Sequence, residues 1–274
     1  MWRKRSIEGI DMKFDRNKPY NQLPLLPPKT DIENPAVLKK AITAGRALAE
    51  LKGVGETIPN QAMLINTIVL REAQSSSEIE NIVTTTDALF KAFTAKSNNI
   101  DSATKEVLRY REALWEGFNT LKKRPVLSTN VFIKIFQTIK ENRAGIRNVP
   151  GTKIANTATG EVMYTPPEGE SIISDKLKNM EDYIHSEDAL DPLIKMAVIH
   201  YQFEAIHPFF DGNGRAGRIL NILFLVYRDL LSLPVLYLSK YIIENKSDYY
   251  RLLRNVTEKD KWEPWILFML EAVE

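Results

Sequence analysis

Residues 198–228 read VIHYQFEAI-HPFFDGNGRAGR-ILNILFLVYR. The outer stretches carry almost no charge, which is the pattern of helices buried on most sides. Between them, residues 207–218 hold one histidine, one acid, three glycines, one asparagine and two arginines. Asp191 followed by Pro192 is an N-cap with proline at the first helical position, so the first helix is expected over 191–206 and the second over 215–229. Two central helices joined by a loop dense in polar residues are the expected heart of the fold.

The rest of the chain builds outward from that pair. Asn34–Pro35 repeats the start signal and opens a helix expected to stop at Gly53. Helical apolar spacing predicts further helices over 60–73, 87–95, 102–121, 129–140, 173–185, 240–256 and 262–273. Residues 150–166, PGTKIANTATGEVMYTP, break the pattern. Two short β-prone pieces, 152–156 and 161–165, flank Thr157 and Gly160 and predict an inserted β-hairpin. The expected class is all-α with one small hairpin flap. The organisation expected is an N-terminal arm over 1–34, a helical region over 35–125 and a core over 126–274. The proline-rich part of the arm, 15–34, is expected to lie extended on the surface. Residues 1–11, ahead of Met12, look like a leader or an added segment.

Composition narrows the function. Lysine plus arginine is 37 and aspartate plus glutamate 35, a net charge of +2, which gives no electrostatic case for nucleic acid or membrane. There is no cysteine, so thiolate metal sites, disulfides and cysteine nucleophiles are excluded. No signal segment or transmembrane run is visible, and a cytoplasmic protein is the default expectation.

The loop itself has a mechanism. Gly212 and Gly214 free the backbone and let a ligand approach it closely. Successive N–H groups in such a turn form an anion nest, and the helix that follows adds its positive end. Arg215 and Arg218 are three apart and are expected to share one side; two guanidinium forks suit a polyphosphate. Asp211 makes sense as a ligand of Mg²⁺ bridging phosphate oxygens. His207 could take a proton from an attacking hydroxyl. A plain helix–turn–helix with a structural histidine is the bland alternative. A zinc hydrolase built on His200, Glu204 and His207 is another. Against it, the usual paired-histidine signature is absent and two arginines would repel an unscreened dication.

HPFFDGNGRAGR resembles the Fic family signature, H-x-F-x-(D/E)-G-N-G-R-x-x-R, at every defined position: His207, Phe209, Asp211, Gly212, Asn213, Gly214, Arg215 and Arg218. The resemblance implies an all-helical core with an upstream flap. It also implies transfer of AMP from ATP to a Ser, Thr or Tyr hydroxyl of a target protein, and of the enzyme itself. In that reading His207 is the general base and Asp211 holds Mg²⁺ between the α- and β-phosphates. Gly212, Asn213 and Gly214 cradle phosphate, with the Asn213 amide orienting the α-phosphate. Arg215 and Arg218 hold the β- and γ-phosphates, and Phe209 anchors the loop. Relatives that act as kinases lack the intact G-N-G-R loop, and those that transfer phosphocholine bind their nucleotide in another orientation; the intact loop here favours AMP transfer. The flap is expected to clamp the target by strand addition.

Ser76 to Asn81 in QSSSEIENIV resembles the family's inhibitory motif, (S/T)-x-x-x-E-(G/N). The resemblance implies that Glu80 pairs with Arg218 and displaces the γ-phosphate, so that the chain restrains itself. The local alternative is that Ser75 or Ser76 caps a helix with Glu78 or Glu80 in its first turn. KSDYYRLLRNVT (246–257) resembles a family helix near the adenine, which assigns Tyr250 and Thr257 to the base pocket and leaves Tyr249 to the core. Family members of this type often self-associate. Two other functions stay open: removal of AMP from a modified target on the same site, and a nucleotide-binding interaction module without turnover.

Overall fold

The structure, a computed structural model, describes residues 14–57, 61–94, 100–156 and 159–274. The basic N-terminus, the Met12 start and Thr157 lie outside the described residues. Eleven helices and one two-stranded hairpin make up the regular structure among them. In chain order they are α1 (Pro35–Thr57), α2 (Gln61–Ile79), α3 (Thr86–Thr94), α4 (Ser102–Lys123) and α5 (Thr129–Lys140). Then come β1 (Ile154–Ala155), β2 (Val162–Tyr164), α6 (Glu170–His185), α7 (Pro192–Ile206), α8 (Asn213–Tyr227), α9 (Leu238–Glu244), α10 (Lys246–Lys259) and α11 (Trp262–Val273).

The central pair is α7 and α8. Asp191 caps α7 by accepting from Leu193 N at 2.8 Å, and Asn34 caps α1 by accepting from Ala36 N and Val37 N. Thirteen of the fifteen residues of α7 are buried, so this helix has no solvent face and sits where α6, α8 and α11 converge. On the other side α8 packs on α4 and α5. The all-α class with a hairpin flap is what the chain adopts.

Several boundaries differ from expectation. Helix α1 runs through Gly53 and Gly55 to Thr57; no other group lies near either glycine, and a helix tolerates them there at a cost of ~1 kcal/mol each. Helix α2 continues through the serines to Ile79, so Ser75 and Ser76 lie in its last turns and cap no helix start. The expected helix over 240–256 is two helices that meet at Asn245. The arm over 15–34 is partly threaded inward. Leu23, Leu26 and Ile32 are buried while Leu25 stays out. Lys176 Nζ donates to Leu23 O at 2.7 Å, and the Asn179 side chain pairs with both the backbone N–H and the C=O of Leu26.

The hairpin is antiparallel, with Ile154 opposite Tyr164 and Ala155 opposite Val162 across an irregular register. Its ends are fixed from two sides. Tyr164 OH donates to Ala205 O on α7 at 2.7 Å. From the arm, Tyr20 N donates to Thr165 O, while Thr165 Oγ1 donates to Arg16 O.

Candidate active site

The site is built where α7 ends and α8 begins. His207 terminates α7 in the left-handed region, at φ 49° and ψ 60°, with its N–H still bonded to Phe203 O. That reversal turns the chain out of the helix. Arg147, itself buried, holds the turn from outside: its Nε donates to His207 O at 2.7 Å, and its Nη2 donates to Pro167 O at the base of the flap. Phe209 is fully buried and stacks on Phe136 at 4.3 Å with the rings nearly parallel. Phe209→Ala is expected to cost about 3–5 kcal/mol of stability, read as a lower urea midpoint.

Asn213 shapes the loop. Its Oδ1 accepts from Phe209 N and its Nδ2 donates to Phe209 O, both at 2.8 Å. The side-chain amide therefore braces the loop's own backbone. The main-chain N–H of Asn213 at the start of α8 adds a donor to the nest. Gly212 takes the left-handed conformation just ahead, at φ 71°, where a residue without Cβ is unstrained. The nest and the positive helix end thus stand together.

The two arginines do not share a ligand-facing side as expected. Both are buried, but they serve different neighbours. Arg215 Nη1 lies 2.8 Å from Glu106 Oε1 on α4. Glu106 also binds Lys140 Nζ at 3.0 Å, and Lys140 Nζ lies 2.6 Å from Asp211 Oδ2. A relay of alternating charge therefore runs Arg215–Glu106–Lys140–Asp211, with Asp211 at its exposed end. The neighbouring Lys140 and the Gly212 N–H hold the Asp211 carboxyl below its ordinary value although partial burial opposes them. Among the described residues no group of three or more His, Cys, Asp or Glu could enclose a metal ion. One ionised carboxylate suits Mg²⁺ that takes its remaining ligands from phosphate and water, and the Lys140 ammonium now stands in as the cation on that carboxylate.

Arg218 faces α2. Its Nε donates to Ser76 Oγ and its Nη2 to Ser76 O, both at 2.8 Å, and Nη2 also reaches Glu80 Oε1 at 2.9 Å. Ser76, Glu80 and Arg218 are thus brought together across 138 to 142 residues of sequence. The Glu80 carboxylate lies over Gly214, where an added Cβ would collide with Oε1. An anion therefore already sits at the mouth of the anion nest, and it belongs to the chain itself. Asn81 follows at φ 62°, a conformation that glycine and asparagine accept most readily; this is a physical reason for Gly or Asn after the glutamate. Lys246 Nζ donates to Asn81 Oδ1 at 3.3 Å.

A cavity of about 470 Å³ opens beside Glu80. The flap lends Ile154 and Met163 to its wall, α7 lends Tyr201 and Glu204, and α10 lends Tyr250, Leu253 and Thr257. Tyr250 is 44% exposed on this wall, whereas Tyr249 is buried and bonds His200 Nε2 at 2.8 Å. His200 also stacks on Trp265, so it is a core residue. With His200 occupied there, the arrangement gives no support to the zinc alternative.

Burial sets the protonation states. It lowers His207 to about 4, helped by the Arg147 charge and opposed by Glu80 and the Glu204 carbonyl. The ring is therefore neutral at pH 7 and able to accept a proton. Burial also lowers His200 to about 3 and raises Glu204 to about 8. Both shifts make stability depend on pH. The unfolded chain protonates its histidines below about 6.5 while the folded chain does not, so stability falls on acidification from there toward 4. The unfolded Glu204 ionises near its ordinary 4.5 while the folded one keeps its proton to about 8, so stability also falls as pH rises between those values. Glu204→Gln is expected to raise the melting temperature more at pH 8 than at pH 5; an equal shift at both would contradict the buried, protonated acid.

Two models of one family match the chain in tandem: the Fic/DOC family N-terminal model over residues 38–119 and the Fic/DOC family model over residues 126–225. The chain belongs to the Fic/DOC family. It is 28% identical over 176 residues to a probable protein adenylyltransferase of Aquifex aeolicus, a match covering 62% of this chain and 52% of that one. To the protein adenylyltransferase fic-1 of Caenorhabditis elegans it is 27% identical over 149 residues, covering 52% and 27%. This Fic chain thus spans about half the length of the first relative and about a quarter of the second. A Fic family protein from Desulfovibrio desulfuricans G20 shares its fold with a TM-score of 0.73 at 22% identity, over 90% of this chain and 74% of that chain. A segment of C. elegans Fic-1 does so with a TM-score of 0.63 at 20% identity, over 87% and 71%. No helix among the described residues is long and apolar enough to cross a membrane.

Lys140, Glu106, Arg147 and Glu204 are site residues that the sequence reading left without these roles. The first three act through partners on other elements. Glu204 stood only as a zinc-ligand alternative, although a lone acid on a helix with almost no charge was a visible signal.

Proposed function

We propose that this chain is a protein adenylyltransferase that transfers AMP from ATP to a hydroxyl of a target protein and that Glu80 restrains it. The observation that carries the reading is the seat of Glu80: a carboxylate on Arg218, over Gly214, at the start of α8. A nest of N–H groups, a helix N-terminus and a buried arginine form a phosphate site, and an internal carboxylate is the simplest competitor for it. The relatives named as protein adenylyltransferases point the same way.

In this reading the nucleotide's base enters the apolar cavity beside Tyr250 and Leu253, and its phosphates replace Glu80 on Arg218. Mg²⁺, held by Asp211, would neutralise phosphate charge when bound. Lys140 would then leave Asp211, keeping Glu106 as its partner. Neutral His207 takes the proton of the attacking hydroxyl as its oxygen bonds the α-phosphorus. The bond from that phosphorus to the β-phosphate oxygen breaks, and pyrophosphate leaves. The backbone N–H groups of the nest stabilise the developing charge. A target segment would add along the flap.

The test is label position. Incubation with ATP labelled at the α-phosphate is expected to mark protein, and ATP labelled at the γ-phosphate is expected to leave it unmarked. Marking from the γ-label alone would make the enzyme a kinase and overturn the proposal. Removal of AMP from a modified target is a second reading, because the Glu80 carboxylate, 32% exposed at the cavity, could hold a water there. Release of AMP from a pre-modified target, with no transfer from ATP, would favour it.

A further inference from the structure

Glu204 is an acid without an assigned purpose. It lies one turn before His207 on α7, which carries no other acid. Its carboxyl is packed against α8 at a glycine: a Cβ on Gly217 would lie 2.7 Å from Glu204 Oε1. That oxygen is buried and has no hydrogen-bond partner, while the residue also forms part of the cavity wall with Tyr201, Tyr250 and Thr257. Buried polar atoms without partners are rare in folded proteins and call for an explanation.

A counterion role for Arg218 does not supply one. The hydrogen bonds of Arg218 go to Ser76 and Glu80. Burial outweighs the arginine's attraction and keeps Glu204 mostly protonated at neutral pH. A neutral carboxyl presents one O–H donor and one carbonyl acceptor side by side. On an apolar wall such a group fixes the orientation of a ligand and supplies specificity.

We infer that Glu204 is a specificity residue of the cavity, exchanging a hydrogen bond with the nucleoside part of the nucleotide that the proposed function places there. The inference rests on that reading. The nucleoside offers two partners of the required kind, the amino group of the base and the hydroxyls of the ribose.

Calorimetry on the Glu80→Gly protein, whose phosphate seat is open, separates them. The ligands are ATP, purine riboside triphosphate (no amino group), 2′-deoxy-ATP, 3′-deoxy-ATP and inorganic tripolyphosphate. With Glu204 present, one nucleoside analogue is expected to bind about tenfold more weakly than ATP, the size of one lost hydrogen bond. The weakened analogue names the partner. With Glu204→Met added, ATP is expected to fall to the level of that analogue, and with Glu204→Gln to stay within a few fold. Tripolyphosphate affinity is expected to be the same in all three, which a merely structural effect on the fold would not preserve. Retention by Glu204→Met of both ATP affinity and discrimination overturns the inference. Failure of ATP to bind the Glu80→Gly protein with Glu204 intact instead overturns the nucleotide reading.

Discussion

Glu80→Gly is expected to raise labelling of the protein by α-labelled ATP about 10- to 100-fold. The estimate comes from one contact. Glu80 Oε1 accepts a charge-assisted hydrogen bond from a guanidinium that is 1% exposed, and such a bond is worth about 1.5–3 kcal/mol. If the closed state is favoured by that amount, its loss raises the population open to phosphate by the corresponding factor. The variant is informative because Arg218 keeps its two bonds to Ser76 and is not left wholly unpaired. Some destabilisation still follows, of about 1–2 kcal/mol, or a melting point lower by several degrees in a chain of this size. Saturating ATP should return the melting point toward that of the unaltered protein, because ligand bound only to the folded state stabilises it. Unchanged labelling together with normal ATP binding would remove Glu80 from the mechanism.

His207→Ala is expected to lower transfer by about 10²- to 10⁴-fold, the usual contribution of a positioned base, with ATP affinity changed by less than about threefold. The imidazole sits at the end of α7, outside the Arg218 and Gly214 seat, so binding and proton transfer are separable here. The backbone imposes a control. His207 is at φ 49°, which is costly for alanine and easier for asparagine. His207→Asn keeps the turn, so a matching loss in both variants assigns the effect to the imidazole. Persistent transfer in His207→Asn would require another base.

The fold was legible where local chemistry decides it. Asn34–Pro35 and Asp191–Pro192 announced their helices because capping is satisfied within three residues. The central pair was legible because the stretches on either side of the loop carry almost no charge. The hairpin showed in its turn residues, and the loop's left-handed turn in Gly212 ahead of the helix that follows. What escaped depends on contacts between distant elements. Arg215 looked equivalent to Arg218 because both stand on the first turns of α8. Glu106 on α4 and Lys140 on α5 divide them, and nothing near Arg215 in sequence reports those two. The bonds of Asn213 to Phe209 escaped as well, because they close a loop whose shape spacing cannot supply. The serines before Glu80 resembled a helix start because a run of small polar residues gives no direction; Asn81, taking positive φ, marks the opposite end.

The attachment of the arm to the flap reaches beyond the fold. Arg16 and Tyr20 meet the chain just after β2, and both precede residue 38, where the first family match begins. The flap's bearing is therefore laid down by a stretch outside the parts of the chain shared most plainly with relatives. Every group assigned to the proposed chemistry lies within or after those parts, whereas the hairpin that the proposed function offers to a target is tied down from residues 16–20. Under the proposed function, substitutions in the arm would alter which targets dock and leave the phosphate seat as it is, so that catalytic strength and target preference would drift independently.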